Sequence, residues 1–234
     1  MRRKYRLTIA ACAIVLACAS SAQALPIGLA LVLDESGSIS AGNWTLQRDA
    51  YANVLGSALI PTNGSLVIGV WKFDDSVEQV FAPTLIDSAA AKANLLLAIT
   101  SMTQEGGLTA IGDAVTAARN GLVGYGLANL AKAVIDVSTD GANNFGSNPT
   151  TASNAALAAG IAQVNCLAIG AGGNCTWNPA SSLDFVANDF GDFESALEDK
   201  IRTETRPVPE PASAVLYGLG AAAIALARRR SRRA

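Results

Sequence analysis

The chain of 234 residues contains no histidine. That single absence excludes a Ser-His-Asp triad, a Cys-His dyad and the histidine-based zinc sites. Nor is there a Gly-x-Ser-x-Gly nucleophile elbow or a Gly-x-x-x-x-Gly-Lys phosphate loop. Cysteine is scarce, with four in all. Positive charge is scarce where it would matter. All 19 Asp and Glu lie between Asp34 and Glu210, and only 8 of the 17 Lys and Arg lie there with them, a balance of −11. So acidic a body lacks the basic footprint that nucleic acid demands, but suits cations.

The ends differ from the body. Arg2, Arg3, Lys4 and Arg6 precede an apolar run, Leu7 to Ala17, and Ala22-Gln23-Ala24 places small residues where a signal peptidase reads. Residues 1–24 therefore read as a removable secretory signal peptide, too short and wrongly flanked for a membrane span. Residues 207–234 begin with prolines, continue through an uncharged, mostly apolar stretch, Ala212 to Ala227, and end in Arg228, Arg229, Arg230, Arg232 and Arg233. The apolar stretch is slightly short for a full span, and the arginines would hold that end in the cytoplasm. Export leaves Cys166 and Cys175 as an even pair in an oxidising compartment, where a disulfide closing that short loop is expected. The bland alternative is two buried thiols.

The body, residues 25–206, is long enough for one domain with a core. Strands are expected at Ile27 to Leu33, Leu66 to Phe73, Ala131 to Ser138 and Val164 to Ile169, each a continuous apolar run. Val77 to Phe81 is expected to hairpin onto the second. Helical spacing marks Tyr51, Val54, Leu55, Ala58 and Leu59, and likewise Ser88 to Thr100, Ile111 to Leu122, Thr151 to Ala162 and a closing segment from Phe190. Alternating strands and helices give an α/β fold, a doubly wound, mostly parallel sheet flanked by helices. Ligands in such sheets bind at the carboxyl ends of the strands.

Three oxygen-rich clusters fall at that edge: Asp34-Glu35-Ser36-Gly37-Ser38 after the first strand, Gly106-Gly107-Leu108-Thr109-Ala110 before a helix, and Thr139-Asp140-Gly141 after the third long strand. Hydroxyls and carboxylates are hard donors suited to Mg²⁺, Mn²⁺ or Ca²⁺. Many hydroxyls and few carboxylates leave such an ion electrophilic, ready to take a carboxylate from a partner. Ser36 and Ser38 could instead merely cap the next helix, which would explain one cluster but not three. Asp136 interrupts an apolar strand and needs partners; anchoring a neighbouring loop is the expectation, with a direct role at the metal as the alternative. Asp74-Asp75 and the group Asp184, Asp189, Asp192 could hold a second cation, but read rather as solvated turns and helix starts.

Asp34-x-Ser36-x-Ser38, Thr109 and Asp140 in this order resemble the metal-ion-dependent adhesion site of von Willebrand factor A domains, over roughly residues 26–205. The resemblance implies hydroxyl ligands from Ser36, Ser38 and Thr109, with Asp34 and Asp140 bound directly or through water, and Mg²⁺ as the first choice of ion. Residues 106–113 and 134–141 resemble more narrowly a bacterial branch of this superfamily with no settled activity. Val208-Pro209-Glu210-Pro211, the apolar stretch and the arginines resemble the PEP-CTERM sorting signal, which implies a pause at the inner membrane and cutting by a transpeptidase-like exosortase; a permanent anchor is the alternative. The expectation is a cell-surface or matrix binding module, not an enzyme. It would engage an acidic group of a protein or polysaccharide. A structural matrix protein, a self-associating adhesin and, last, a metal-assisted hydrolase using Glu35 or Asp140 as base are the alternatives.

Overall fold

The structure, a computed structural model, describes residues 24–206. The expected signal peptide and sorting segment lie outside the described residues. In chain order the elements are β1 (Ile27–Asp34), α1 (Ala41–Gly56), β2 (Leu66–Phe73), β3 (Val77–Leu85), α2 (Ala89–Thr100), α3 (Ile111–Tyr125), a 3₁₀ turn (Leu127–Asn129), β4 (Lys132–Thr139), α4 (Pro149–Ala158), β5 (Gln163–Ile169), β6 (Asp184–Ala187) and α5 (Phe193–Glu204). The six strands form one sheet in the order β3-β2-β1-β4-β5-β6. Only β3 runs antiparallel, paired to β2.

All eight residues of β1 and all eight of β2 are buried. The pleat sends alternate side chains to opposite faces. Leu29, Leu31 and Leu33 enter one core with Tyr51, Val54 and Leu55 of α1, Leu95 and Ile99 of α2 and Phe193, Leu197 and Ile201 of α5. Ala30 and Val32 enter the other with Ile111, Val115 and Leu122 of α3 and Ala152 and Ala156 of α4. Helix starts follow from local chemistry: Ser40, Ser88 and Asn148 each accept a backbone N–H three residues on, at 3.2, 3.2 and 3.0 Å. Pro149 occupies the first turn of α4, where its missing N–H costs nothing.

The strand order reverses direction at β1. The chain moves from β1 to β2 on one side and later returns to β4 on the other, which opens a crevice between the carboxyl ends of β1 and β4. Asp34 and Asp140 sit on its two sides.

Three expectations need correction. The edge strand β6 was not anticipated, because only Ala187 of its four residues is buried and so no apolar run marks it. Helix α4 ends at Ala158, four residues short of Ala162, and Gly160 with φ +100° follows. Phe190 precedes α5, although it packs against the same core as Phe193.

Candidate functional site

The site begins where β1 ends. Asp34 is fully buried. Its Oδ1 accepts the Ser36 N–H at 2.8 Å and its Oδ2 accepts the Thr139 hydroxyl at 2.5 Å. Both carboxylate oxygens thus hold the two strand ends in register. The first turn of the loop projects two hydroxyls: Ser36 Oγ lies 3.1 Å from Ser38 Oγ, and Ser38 Oγ donates to Asp140 Oδ1 at 2.6 Å. Burial pushes Asp34 up to about 6, with the Ser36 and Thr139 hydrogen bonds opposing and the Asp140 charge adding to the rise. Burial likewise raises the half-buried Asp140, against the Ser38 hydrogen bond.

Thr109 arrives from a separate loop. Gly106, at φ +75°, turns the chain, and Gly37 N–H donates to Gly107 O at 2.9 Å, joining that loop to the first. Thr109 is then fixed from the β4 side: its N–H donates to Asn144 Oδ1 at 2.7 Å, and its carbonyl accepts from Asn144 N and Phe145 N at 3.0 and 3.2 Å. Asn143 Oδ1 accepts Gly112 N–H at 3.3 Å, supplying a partner at the start of α3, where Ala110 offers no capping side chain. A Cβ placed on Gly141 would lie 3.8 Å from Thr109 Oγ1 and 3.9 Å from Ser38 Oγ. Thr109 and Ser38 therefore converge at Gly141, Ser36 and Asp140 join through the Ser38 hydroxyl, and Asp34 is tied to the Ser36 amide.

A second polar group braces the first. Lys72, buried on β2, reaches Glu35 at 3.1 Å, Glu78 at 3.1 Å and the Thr103 carbonyl at 3.0 Å. Glu35 Oε2 also accepts the Glu105 N–H at 3.2 Å, and Gln104 Nε2 donates to Ile39 O at 2.8 Å. Burial raises Glu35, outweighing the opposing pull of Lys72. Glu35 is therefore held between Lys72 and the Glu105 amide. Sequence reasoning missed Lys72, Gln104, Asn143 and Asn144, and placed Thr139 in its cluster without its bond to Asp34. Lys72 carried a signal that could have been read, a lone charge inside an otherwise apolar strand.

Asp136 does not anchor a loop. Its carboxylate pairs with the fully buried Lys200 of α5, whose ammonium also donates to Val137 O at 3.0 Å. The correction has a physical basis: α5 packs over β5 and β6 and sends Lys200 across to β4, so a helix supplies the cation. Glu204, one turn on, accepts from Asn165 Nδ2 at 2.7 Å, and burial and the Asp136 charge hold it well above the usual carboxylate range. Asp74 and Asp189 serve turns, and Asp184 opens β6. Asp74 Oδ1 accepts from Ser76 N, Asp189 Oδ1 from Gly191 N, and Asp184 Oδ1 from Asn178 Nδ2. Among the described residues no three carboxylates or thiolates gather as a metal site, so a cation would depend on the mixed hydroxyl and carboxylate set.

Cys166 of β5 and Cys175 are joined in a disulfide, with Cα atoms 5.7 Å apart. The loop it closes passes so near the site that a Cβ on Gly172 would stand 2.5 Å from Asp140 O.

Among solved structures, the fold is similar to proximal thread matrix protein 1 of the mussel byssus, at TM-score 0.64 and 22% identity over 77% of this chain and 48% of that one. One structure of that protein, at TM-score 0.63 and 21% identity over 77% and 48%, is described as having a zinc-occupied MIDAS motif. The pilus adhesin SpaC from Lactobacillus rhamnosus GG is similar at TM-score 0.62 and 16% identity, over 78% of this chain and 30% of that one. BatB from Bacteroides thetaiotaomicron is similar at 0.57 and 15%, over 77% and 100%. The chain thus spans about half or less of the length of the first of these neighbours, and they establish a shared von Willebrand factor A fold. No curated protein matches by sequence. Residues 207–233 match the PEP-CTERM protein-sorting motif, a signal of export to the surface. Residues 24–209 match the family described as protein of unknown function DUF1194, and the chain belongs to that von Willebrand factor A-like family.

Proposed function

We propose that this exported protein is a non-catalytic surface or matrix module that holds one divalent cation, Mg²⁺ first with Mn²⁺ or Ca²⁺ as alternatives, and engages an acidic group of a partner through it. Ser36, Ser38, Thr109 and Asp140 would hold the ion. Asp34, with both oxygens committed to Ser36 N–H and Thr139 Oγ1, would order the ligands from below and reach the ion through water. A bound cation would act as a Lewis acid short of anionic ligands, so that a carboxylate from outside completes its shell.

One observation carries this reading. Three groups of buried carboxylates serve as internal comparisons, and two have their own lysine: Glu35 has Lys72 and Asp136 has Lys200. Asp34 and Asp140 repel each other and, among the described residues, are in no ion pair, meeting only hydroxyls and backbone amides. Buried charge is costly unless paired, and the positive partner missing from this set is what a divalent ion would supply. The mussel neighbour with zinc at its MIDAS motif supports the same assignment by fold.

Mn²⁺ binding followed by electron paramagnetic resonance tests it. One equivalent should bind, be displaced by excess Mg²⁺, and be lost in Asp140→Ala. Binding that survives in Asp140→Ala would place the ion elsewhere. A matrix protein whose ion only stiffens loops is the second reading, favoured by the thread matrix neighbour. In that case chelator should lower stability without releasing a partner.

A further inference from the structure

We propose that Lys200 and Asp136 become joined by an amide bond inside the core, a crosslink between α5 and β4 that the chain makes for itself with Glu204 as proton carrier. Asp136 and Lys200 are fully buried, and Glu204, one turn further along α5, is 1% exposed. Lys200 Nζ touches Asp136 Oδ1 and donates to Val137 O at 3.0 Å. The Phe185 ring of β6 covers the amine, its centroid 5.9 Å from Nζ. Val134, Leu197 and Ile201 belong to the same apolar core. An amine, an acyl carbon and a second acid thus meet where water is excluded.

The second acid is placed to move protons. The carboxyls of Asp136 and Glu204 lie near enough to share a hydrogen bond once one of them holds a proton. Asp136 Oδ2 and Glu204 Oε2 are otherwise without a partner among the described residues. Burial and the Asp136 charge keep the proton on Glu204, and Asn165 Nδ2, donating to Glu204 Oε1 at 2.7 Å, fixes the direction of that carboxyl. An ion pair at this depth keeps two charges in an apolar core at a cost. Amide formation removes both.

The Lys200 ammonium first gives one proton to the Asp136 carboxylate, leaving a neutral amine and a neutral acid, the forms that a desolvated site favours. The nitrogen lone pair then bonds to Asp136 Cγ while the carbonyl π pair moves to oxygen, which takes the Glu204 proton. Glu204 takes a proton from the nitrogen in return. One hydroxyl leaves with that proton as water, and the other returns its own to Glu204 as the carbonyl re-forms. One ammonium and one carboxylate become one amide and one water, with no oxidant or other reactant, and Glu204 ends as it began. Folding supplies the contact that makes the step effectively intramolecular. The bond therefore follows folding, and a freshly folded chain still holds the ion pair.

Mass spectrometry of the exported chain, followed from folding until the mass is constant, tests this. The final mass should be lower by one water than its sequence and disulfide require. A joint digest with trypsin and a glutamyl endopeptidase should then give Asp199–Arg202 joined to Ala133–Glu194. Lys200→Arg should lose no water. Glu204→Gln keeps the side-chain shape but cannot pass the proton, and should slow the loss by roughly a hundredfold or more while the circular dichroism of the folded chain is kept. A final mass equal to the full requirement, with Asp199-Lys200 released by the digest, would overturn the proposal. So would a lost water that maps to a cyclic imide at Asp140-Gly141, or one that persists in Lys200→Arg. Should Lys200→Arg not fold, the peptide map of the parent chain decides alone. Bond formation in Glu204→Gln at the parent rate would overturn the part given to Glu204.

Discussion

Asp136 and Asp140 sit four residues apart on and just beyond one strand, and the molecule treats them in opposite ways. Asp136 is fully buried against Lys200, with Glu204 alongside. Asp140 is half-buried among hydroxyls, with no lysine or arginine beside it among the described residues. Burial raises both carboxyls. The first is a closed arrangement whose charge is answered from within the chain. The second is open toward solvent at the crevice where the strand order reverses. On the proposed reading, the acid that carries its own cation has a structural task and the one that lacks it is available for a ligand.

The contrast can be broken most forcefully at Lys200. Lys200→Ala leaves Asp136 buried without its partner, and a loss of about 3–5 kcal/mol is expected, read from urea unfolding and unchanged by Mg²⁺ or chelator. Changing both groups, Lys200→Met with Asp136→Leu, should recover most of that loss. A smaller and pH-dependent effect is expected at Glu204. Its folded-state value lies well above the ordinary one, so its contribution is complete below the ordinary carboxylate pKa and is lost as pH rises through the folded value. Wild-type urea midpoints should therefore fall toward alkaline pH, and Glu204→Gln should flatten that slope.

At the open site the expected effects on the fold are slighter. Ser38→Ala removes the hydrogen bond to Asp140 and should cost about 1 kcal/mol, while sharply weakening the response to Mg²⁺. Gly141→Ala is the most delicate test. The added methyl would sit at ordinary contact distance, 3.8 Å from Thr109 Oγ1, so stability should change by less than about 0.5 kcal/mol. Cation affinity should drop nonetheless, because the methyl enters the space around which the hydroxyls gather. Equal loss of stability and of cation response across these variants would erase the distinction between the two aspartates.

Much of this architecture is legible in the chain itself. The apolar runs mark β1, β2, β4 and β5 because strands covered on both faces have no polar side to show. The oxygen-rich clusters follow from the topology, which sends the segments after β1 and β4 to one edge. What is not legible depends on pairing across distance. Lys72 meets Glu35 from 37 positions away, and Lys200 meets Asp136 from another layer, so neither partner can be assigned by spacing. The short edge strand β6 is held by backbone pairing to β5, which leaves little trace in side-chain pattern. Asn143 and Asn144 look like ordinary loop residues, and only the folded loop shows that they fix α3 and Thr109.

The most direct test of the central claim is thermal unfolding of the exported chain, titrated with Mg²⁺, Mn²⁺ and Ca²⁺ against chelator, beside Asp140→Ala and Lys200→Ala. A cation bound only to the folded state should add about 2.7 kcal/mol at 100 times its dissociation constant. The account predicts a saturable rise in Tm for the parent chain, retained in Lys200→Ala at its lower starting temperature and absent in Asp140→Ala. No rise with any of the three ions, or an equal rise in Asp140→Ala, would contradict it.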